Sequence, residues 1–215
     1  MKKTIVTLII LFLFSYAGFA RAPFTEFKVG LLNPKDIEKS GYIFGINLGR
    51  MIDESLSWSF EFNYFQKGYE KTTTGYELEL SPGIDPKTVT KELEYKTRII
   101  PMFLKLNYEH PLGYKSPFYA RASAGLGWEL VWNREDNYRT KTHKNRFYNG
   151  FGWQGSGGIG FEISSTANFF VDAFYNGSKV KRNHKTDEEG YPTWEELDVS
   201  GLGVRIGVSI VGFGW

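Results

Sequence analysis

One glycine pattern in the sequence is of a type that binds cofactors. The run Gly155-Ser-Gly-Gly-Ile-Gly160 matches the G-x-G-x-x-G pattern of dinucleotide-binding sites. That pattern binds a pyrophosphate where a strand gives way to a helix, because the helix amide groups then point at the phosphates. Here the glycines lie inside a segment that continues to alternate apolar and polar residues through Phe161 and Ile163. We therefore expect a strand and no cofactor.

The histidines are the candidate general bases and metal ligands. The sequence has three, His110, His143 and His184, and no two are close enough in sequence to form a short metal-binding pair. A lipid hydrolase or acyltransferase needs a histidine together with a serine and a carboxylate. His143 or His184 with Ser178 and Asp187 would be such a set, but no spacing supports it. We expect neither a metal site nor catalysis, with a lipid-modifying enzyme kept as an alternative.

Two regions concentrate positive charge and could bind anionic groups. The residues concerned are Arg139, Lys141, Lys144 and Arg146 in the first region, and Lys179, Lys181 and Arg182 in the second. Ordinary solvation is the alternative for both. We expect no nucleic-acid binding, because no nucleic-acid-binding fold accompanies these residues.

The N-terminus has the pattern of a secretory signal peptide. Lysines precede an uncharged run at residues 5–14, and small residues follow it. We expect cleavage after Ala20, or alternatively after Ala22, which leaves residues 21–215 as one domain after a signal peptide of residues 1–20. The chain has no cysteine, which excludes disulfides, thiolate-bound metals and lipoprotein anchoring.

The elements that position these residues are short segments that alternate apolar with small or polar residues, as strands with two unlike faces do. They span residues 24–33, 41–50, 56–66, 93–108, 118–132, 148–163, 167–176 and 198 onward. The first, third, fifth and seventh gaps are each longer than the gaps beside them, so all the long connections lie at one end. The pattern predicts an all-β fold, an eight-stranded antiparallel up-and-down transmembrane β-barrel.

Two places interrupt the alternation. Arg98 has the same parity as Leu104 and Leu106, which are expected to face outward. A slip of one residue near Pro101 would place Arg98 inside, and proline cannot donate to a strand ladder, so we predict a bulge or break beside Pro101. The same slip is predicted after Ile210.

The face opposite the apolar residues carries acids and bases in equal number. It comprises Glu26, Lys28, Glu61, Arg98, Lys105, Arg121, Glu129, Glu162, Asp172 and Arg205. A soluble lipocalin-like barrel would place the apolar face inside, around a dry pocket, and desolvating these charges there would be costly. We therefore expect the apolar face to contact lipid and the charges to fill the lumen, since side chains fill an eight-stranded bore. A narrow conducting pore is the alternative.

Essentially the whole expected mature chain resembles the small outer-membrane β-barrels of Gram-negative bacteria, of OmpA/OmpX and porin-like type. The resemblance rests on the signal peptide, the eight alternating segments, the strand at residues 98–108 with its Ile-Pro-x-x-Leu-Lys pattern, and the terminal aromatic residues Phe213 and Trp215. It implies an outer-membrane location with both termini in the periplasm. It also implies that the barrel-assembly machinery reads the C-terminal aromatic signal, although the glycine-rich residues 211–215 depart from the usual alternation.

The resemblance implies no single activity, because this fold carries pores, adhesins, anchors and a few enzymes. We expect a non-enzymatic barrel whose long outer loops, including residues 67–92 and 177–197, serve surface interaction or envelope integrity. Residues 67–92 are expected to extend two strands as a hairpin above the membrane. The basic regions are expected to meet outer-membrane lipid and lipopolysaccharide, and no sequence feature names a further extracellular partner.

Overall fold

A computed structural model describes residues 22–37, 40–76, 87–183 and 193–213, so the expected signal peptide, His184, Asp187 and Trp215 lie outside the described residues. The strands are β1 (Pro23–Pro34), β2 (Gly41–Met51), β3 (Leu56–Tyr76), β4 (Lys87–Pro111), β5 (Phe118–Asn137), β6 (Thr142–Glu162), β7 (Ala167–Asn183), β8 (Trp194–Asp198) and β9 (Gly201–Val211). No helix among these residues is long and apolar enough to cross a membrane.

The strands close into a ring in which every pairing is antiparallel. Neighbours in sequence pair from β1 to β7, and β9 closes the ring by pairing with both β7 and β1. The short β8 pairs with β7 beyond the end of β9, and Val199 and Ser200 separate β8 from β9. The wall therefore has eight positions, with the last one built from two strands, and the predicted all-β barrel is confirmed.

The alternation of the sequence places apolar side chains on the outer face of the ring. Exposed examples from around the wall are Phe27, Phe44, Phe62, Leu106, Leu126, Ile159, Val171 and Val204. A continuous apolar surface of this extent is unusual on a protein surrounded by water. It matches the lipid-facing band of a membrane barrel.

Four strands are much longer than a membrane crossing requires. β3 to β6 have 21, 25, 20 and 21 residues, whereas β1, β2 and β9 have 12, 11 and 11. A tilted strand crosses the hydrocarbon core in about 9–11 residues. The surplus forms a sheet that projects from the end with the long connections, and within it β3 and β4 stay paired as far as Tyr76 and Lys87, which agrees with the predicted extension of these two strands. Its tip, residues 77–86, lies outside the described part of the chain.

The predicted slip at Pro101 is wrong. The register between β4 and β5 is continuous from Leu93 to Pro111, and β3 pairs with β4 in the same register before and after Pro101. The β3–β4 ladder is nevertheless interrupted there, because the pairs of Asn63 and Tyr64, opposite Pro101 and Ile100, are missing, as expected beside a residue without an N–H. The register shift lies instead between Lys71 and Thr72, in the projecting sheet.

The C-terminal interruption occurs at Gly212. β9 keeps one register with β1 as far as Val211, and Gly212 then has a φ of 81°, in the region that favours glycine. Phe213, beyond this turn, is exposed, and its carbonyl accepts a hydrogen bond from the Thr25 hydroxyl at 2.8 Å. The predicted slip directly after Ile210 is therefore not seen in β9, and the chain turns at Gly212 instead.

Candidate functional site: the filled lumen and the projecting sheet

The centre of the lumen is an ion-pair network around Glu61, whose side chain has 0% exposure. Its carboxylate accepts hydrogen bonds from Lys28 Nζ at 2.6 Å, Lys105 Nζ at 3.1 Å and Arg205 Nη1 at 2.9 Å. These residues come from four different strands, and the barrel closure brings them together because each lies on the inward parity. One carboxylate therefore joins opposite walls of the barrel.

A second set of contacts extends the network towards the end where the chain termini lie. Glu26 pairs with Lys28 at 2.9 Å and with Arg121 at 2.8 Å. Asp172 lies 3.3 Å from Arg121 and 3.5 Å from Arg205. The Arg121 guanidinium also stacks 3.6 Å from the centre of the Phe170 ring, which adds a cation–π contact. Every charge in this set has an opposite charge within reach.

Glu129 is the buried carboxylate that stands apart from this network. It accepts a hydrogen bond from Asn176 Nδ2 at 2.8 Å, and no cation pairs with it among the described residues. The sequence pattern placed it on the inward face but gave no sign that its partner would be an amide.

The structure brings eight of the ten predicted lumen residues into the interior and leaves two outside. The buried ones are Glu26, Lys28, Glu61, Lys105, Arg121, Glu129, Asp172 and Arg205. Glu162 is exposed at the end of β6. Arg98 is exposed on the outer wall, because the register does not slip at Pro101; its assignment to the lumen is wrong.

An apolar layer crosses the lumen between this network and the projecting sheet. It consists of Leu32, Ile43, Phe65, Ile99, Val131, Tyr148, Phe174, Val180 and Val199. All of them are almost completely buried, and Ile37 and Leu197 pack against them from the outer end. The alternation of apolar and polar residues alone does not predict this layer. Buried side chains therefore occupy the lumen at two levels, with charged residues at one and apolar residues at the other.

A shallow cup remains above the apolar layer, at the mouth of the barrel. Its volume is about 300 Å³, and it is lined by Asp36, Ile37, Lys67, Tyr69, Tyr95, Thr97, Asn133 and Leu197. Two of its lining residues, Ile37 and Leu197, pack against the apolar layer, so the cup lies directly beside that layer.

A larger cleft, of about 510 Å³, lies at the projecting sheet. Three rows of paired residues cross β4, β5 and β6 there. The rows are Arg98, Trp132 and Phe147; then Lys96, Arg134 and Asn145; then Glu94, Asp136 and His143. We call this feature the outer-wall cleft, since its first row has the lipid-facing parity. The rings of Trp132 and Phe147 lie 5.1 Å apart at its base.

The acids of the outer-wall cleft are already paired. Asp136 accepts hydrogen bonds from His143 Nδ1 at 2.8 Å and Arg134 Nε at 2.7 Å, and these contacts, the histidine first, lower the pKa of Asp136. Lys91 lies 2.7 Å from Glu94, and its hydrogen bond lowers the pKa of that carboxyl. Within the described residues, Lys96 and Arg98 have no carboxylate partner, so the cleft retains two uncompensated cations.

The two predicted basic regions differ in how many of their cations are paired with a carboxylate. Arg139 and Lys141 lie in the turn between β5 and β6, where Lys141 has a φ of 52°, and Lys144 is exposed on β6. Arg146 pairs with Glu135 at 2.9 Å.

In the second basic region, strand pairing supplies acids opposite the cations. Lys179 and Lys181 lie 3.7 and 3.2 Å from Glu196, and Arg182 lies 3.9 Å from Glu195. Two carboxylates of β8 therefore lie opposite three cations, so part of the positive charge of this region is already paired.

Those candidate catalytic and cofactor residues that the structure describes are not gathered into a site. Ser178 is buried inside the barrel, whereas His143 lies on the opposite face of the wall, against Asp136. His110 is exposed at the other end of the barrel, where it stacks on Tyr108. The glycine pattern lies inside β6, as expected, and a Cβ at Gly160 would collide with the Tyr119 ring. That glycine makes room for a lumen side chain.

We compared the sequence and the fold of this chain with those of known proteins. No protein-family model matches the sequence, and no curated protein matches it. A major outer membrane protein from Thermus thermophilus is similar in structure, with a TM-score of 0.54, 10% identity and coverage of 89% of this chain and 100% of that one. This chain has the fold of the small outer-membrane β-barrels.

Two further solved structures support the same fold. OprG from Pseudomonas aeruginosa gives a TM-score of 0.51 at 15% identity, covering 91% of this chain and 98% of that one. Outer Membrane Protein W from E. coli gives 0.50 at 10% identity, covering 89% and 97%. At these identities the likeness shows the shared barrel, and the lumen and outer-wall residues have to be interpreted from their own geometry.

Proposed function

We propose that this protein is a non-enzymatic outer-membrane barrel of a Gram-negative bacterium, with both termini in the periplasm. Its lumen serves as a rigid anchor, and the sheet formed by the outer parts of β3 to β6 is presented at the cell surface for interaction or envelope integrity. The orientation follows from loop length, because membrane barrels have short periplasmic turns and longer extracellular connections.

The apolar layer is the observation that carries this proposal. Residues such as Phe65 and Val131, each 0% exposed, close the bore at the outer end. A conducting pore needs a continuous hydrated path, and ions do not cross a packed apolar layer readily. The charged network beneath it ties opposite walls together, which suits an anchor.

Single-channel recording in planar bilayers tests the anchor function. The refolded mature protein, shown to be folded by heat-modifiable gel migration, is expected to give no steady conductance. Steady openings that change when Glu61 or Arg205 is neutralised would instead support the narrow pore. A folded, silent protein would leave the projecting sheet as the functional part.

A further inference from the structure

The outer-wall cleft is positioned where lipid headgroups would lie. On β5 the outward residues are apolar up to Trp132, and the next outward residues are Arg134 and Asp136. Aromatic pairs mark this boundary, with Trp128 facing Phe151 at 6.5 Å two outward rows below the base of the cleft. Aromatic girdles of membrane barrels lie at the membrane–water interface. The cations of the cleft therefore start at the level of the headgroups.

The charge of the cleft favours an anionic group. Glu94 and Asp136 already have cationic partners, which leaves Lys96 and Arg98 unpaired among the described residues. The two side chains lie two residues apart on one face of β4, a spacing of about 7 Å along a strand. From backbone positions at this distance, the long side chains of an arginine and a lysine can both reach the oxygens of one phosphate group.

We propose that the outer-wall cleft binds the phosphate group of an outer-leaflet glycolipid, such as the phosphorylated sugar of lipopolysaccharide, through Lys96 and Arg98. Trp132 and Phe147 contact the upper acyl carbons of the same lipid, because their rings form the lipid-side base of the cleft. The inference rests on the proposed outer-membrane location. It identifies a different surface from that of Arg139, in the turn between β5 and β6, and Lys144, on β6.

The test measures binding of diphosphoryl lipid A to the detergent-solubilised protein by native mass spectrometry. The double variant Lys96→Gln/Arg98→Gln is expected to bind it about tenfold more weakly, since each cation near an anionic headgroup adds to affinity. The double variant Arg139→Gln/Lys144→Gln makes the same change of net charge and is expected to stay within about twofold of wild type. Equal weakening in both variants would overturn the proposal, because it would indicate diffuse attraction.

Two further ligands establish which part of the lipid is recognised. For lipid A without its phosphates, the two double variants are expected to bind with the same affinity. Soluble glucosamine 1-phosphate is expected to bind far more weakly than the lipid; equal binding would overturn the assignment to a membrane lipid. Heat-modifiable gel migration confirms that each variant is folded. If the Lys96→Gln/Arg98→Gln variant does not fold, the single variant Arg98→Gln is tested in its place. Conductance tests the anchor function separately, so the two proposals can fail independently.

Discussion

Replacement of Glu61 by glutamine is the sharpest test of the packed lumen. The substitution keeps the shape of the side chain and removes the one carboxylate that Lys28, Lys105 and Arg205 share. Lys28 retains Glu26 at 2.9 Å, and Arg205 retains Asp172 at 3.5 Å. Lys105 retains only the neutral Gln154, at 3.0 Å, so it becomes a buried and uncompensated cation.

Removing one partner from a buried ion pair costs about 3–5 kcal/mol, and we expect a loss of this size in the free energy of unfolding of Glu61→Gln. Urea unfolding in lipid vesicles, followed by tryptophan fluorescence, measures it. Glu162→Gln, at the exposed end of β6, is the control and is expected to change the free energy by less than about 0.5 kcal/mol. The double variant Glu61→Gln/Lys105→Met removes both charges and is expected to recover most of the loss.

A Glu61→Gln protein within about 1 kcal/mol of wild type would refute this reasoning. It would indicate that water reaches the cations of the lumen, since hydration would replace the lost carboxylate at little cost. The same result would weaken the case for a sealed anchor and strengthen the case for a hydrated channel.

Three other perturbations follow from the structure. In a chain without native cysteine, Arg98→Cys is expected to react with a membrane-impermeant maleimide and Ser59→Cys, which points into the lumen, is not; the reverse would return residue 98 to the interior. Phe65→Ala is expected to lower the free energy of unfolding by about 3–5 kcal/mol and to leave the protein non-conducting, since the charged network still fills the bore. The carboxyl carbon of Asp136 is expected to titrate in NMR below the ordinary pKa of 3.8, so its contribution to stability is present above that pH and disappears as the pH falls through the lowered pKa. His143→Gln should move that midpoint upward.

The sequence could predict the barrel because its alternation and loop lengths reflect the two faces of a membrane wall. It could also predict most of the lumen charges, since Glu61 and Arg205 lie on strands whose parity is unambiguous. Arg98 was misplaced because the inward and outward residues of β4 are both mixed in polarity near Pro101. A proline removes one donor without requiring an extra residue, and only the pairing partners on β3 and β5 show that the register continues.

The apolar layer has a sequence signal of another kind. Near the outer end of several strands two neighbouring residues are both apolar, as in Leu31-Leu32, Ile99-Ile100 and Leu130-Val131. In a strand, neighbours point to opposite faces, so such a pair indicates that lipid lies on one side and an apolar interior on the other. Lower in the barrel the inward neighbour is charged, as at Glu61 beside Phe62. On β1, β3 and β5 the inward residues change from charged to apolar, from Lys28 to Leu32, from Glu61 to Phe65 and from Glu129 to Val131. This change marks the level of the apolar layer, which lies just inside the surface where the sheet begins to project.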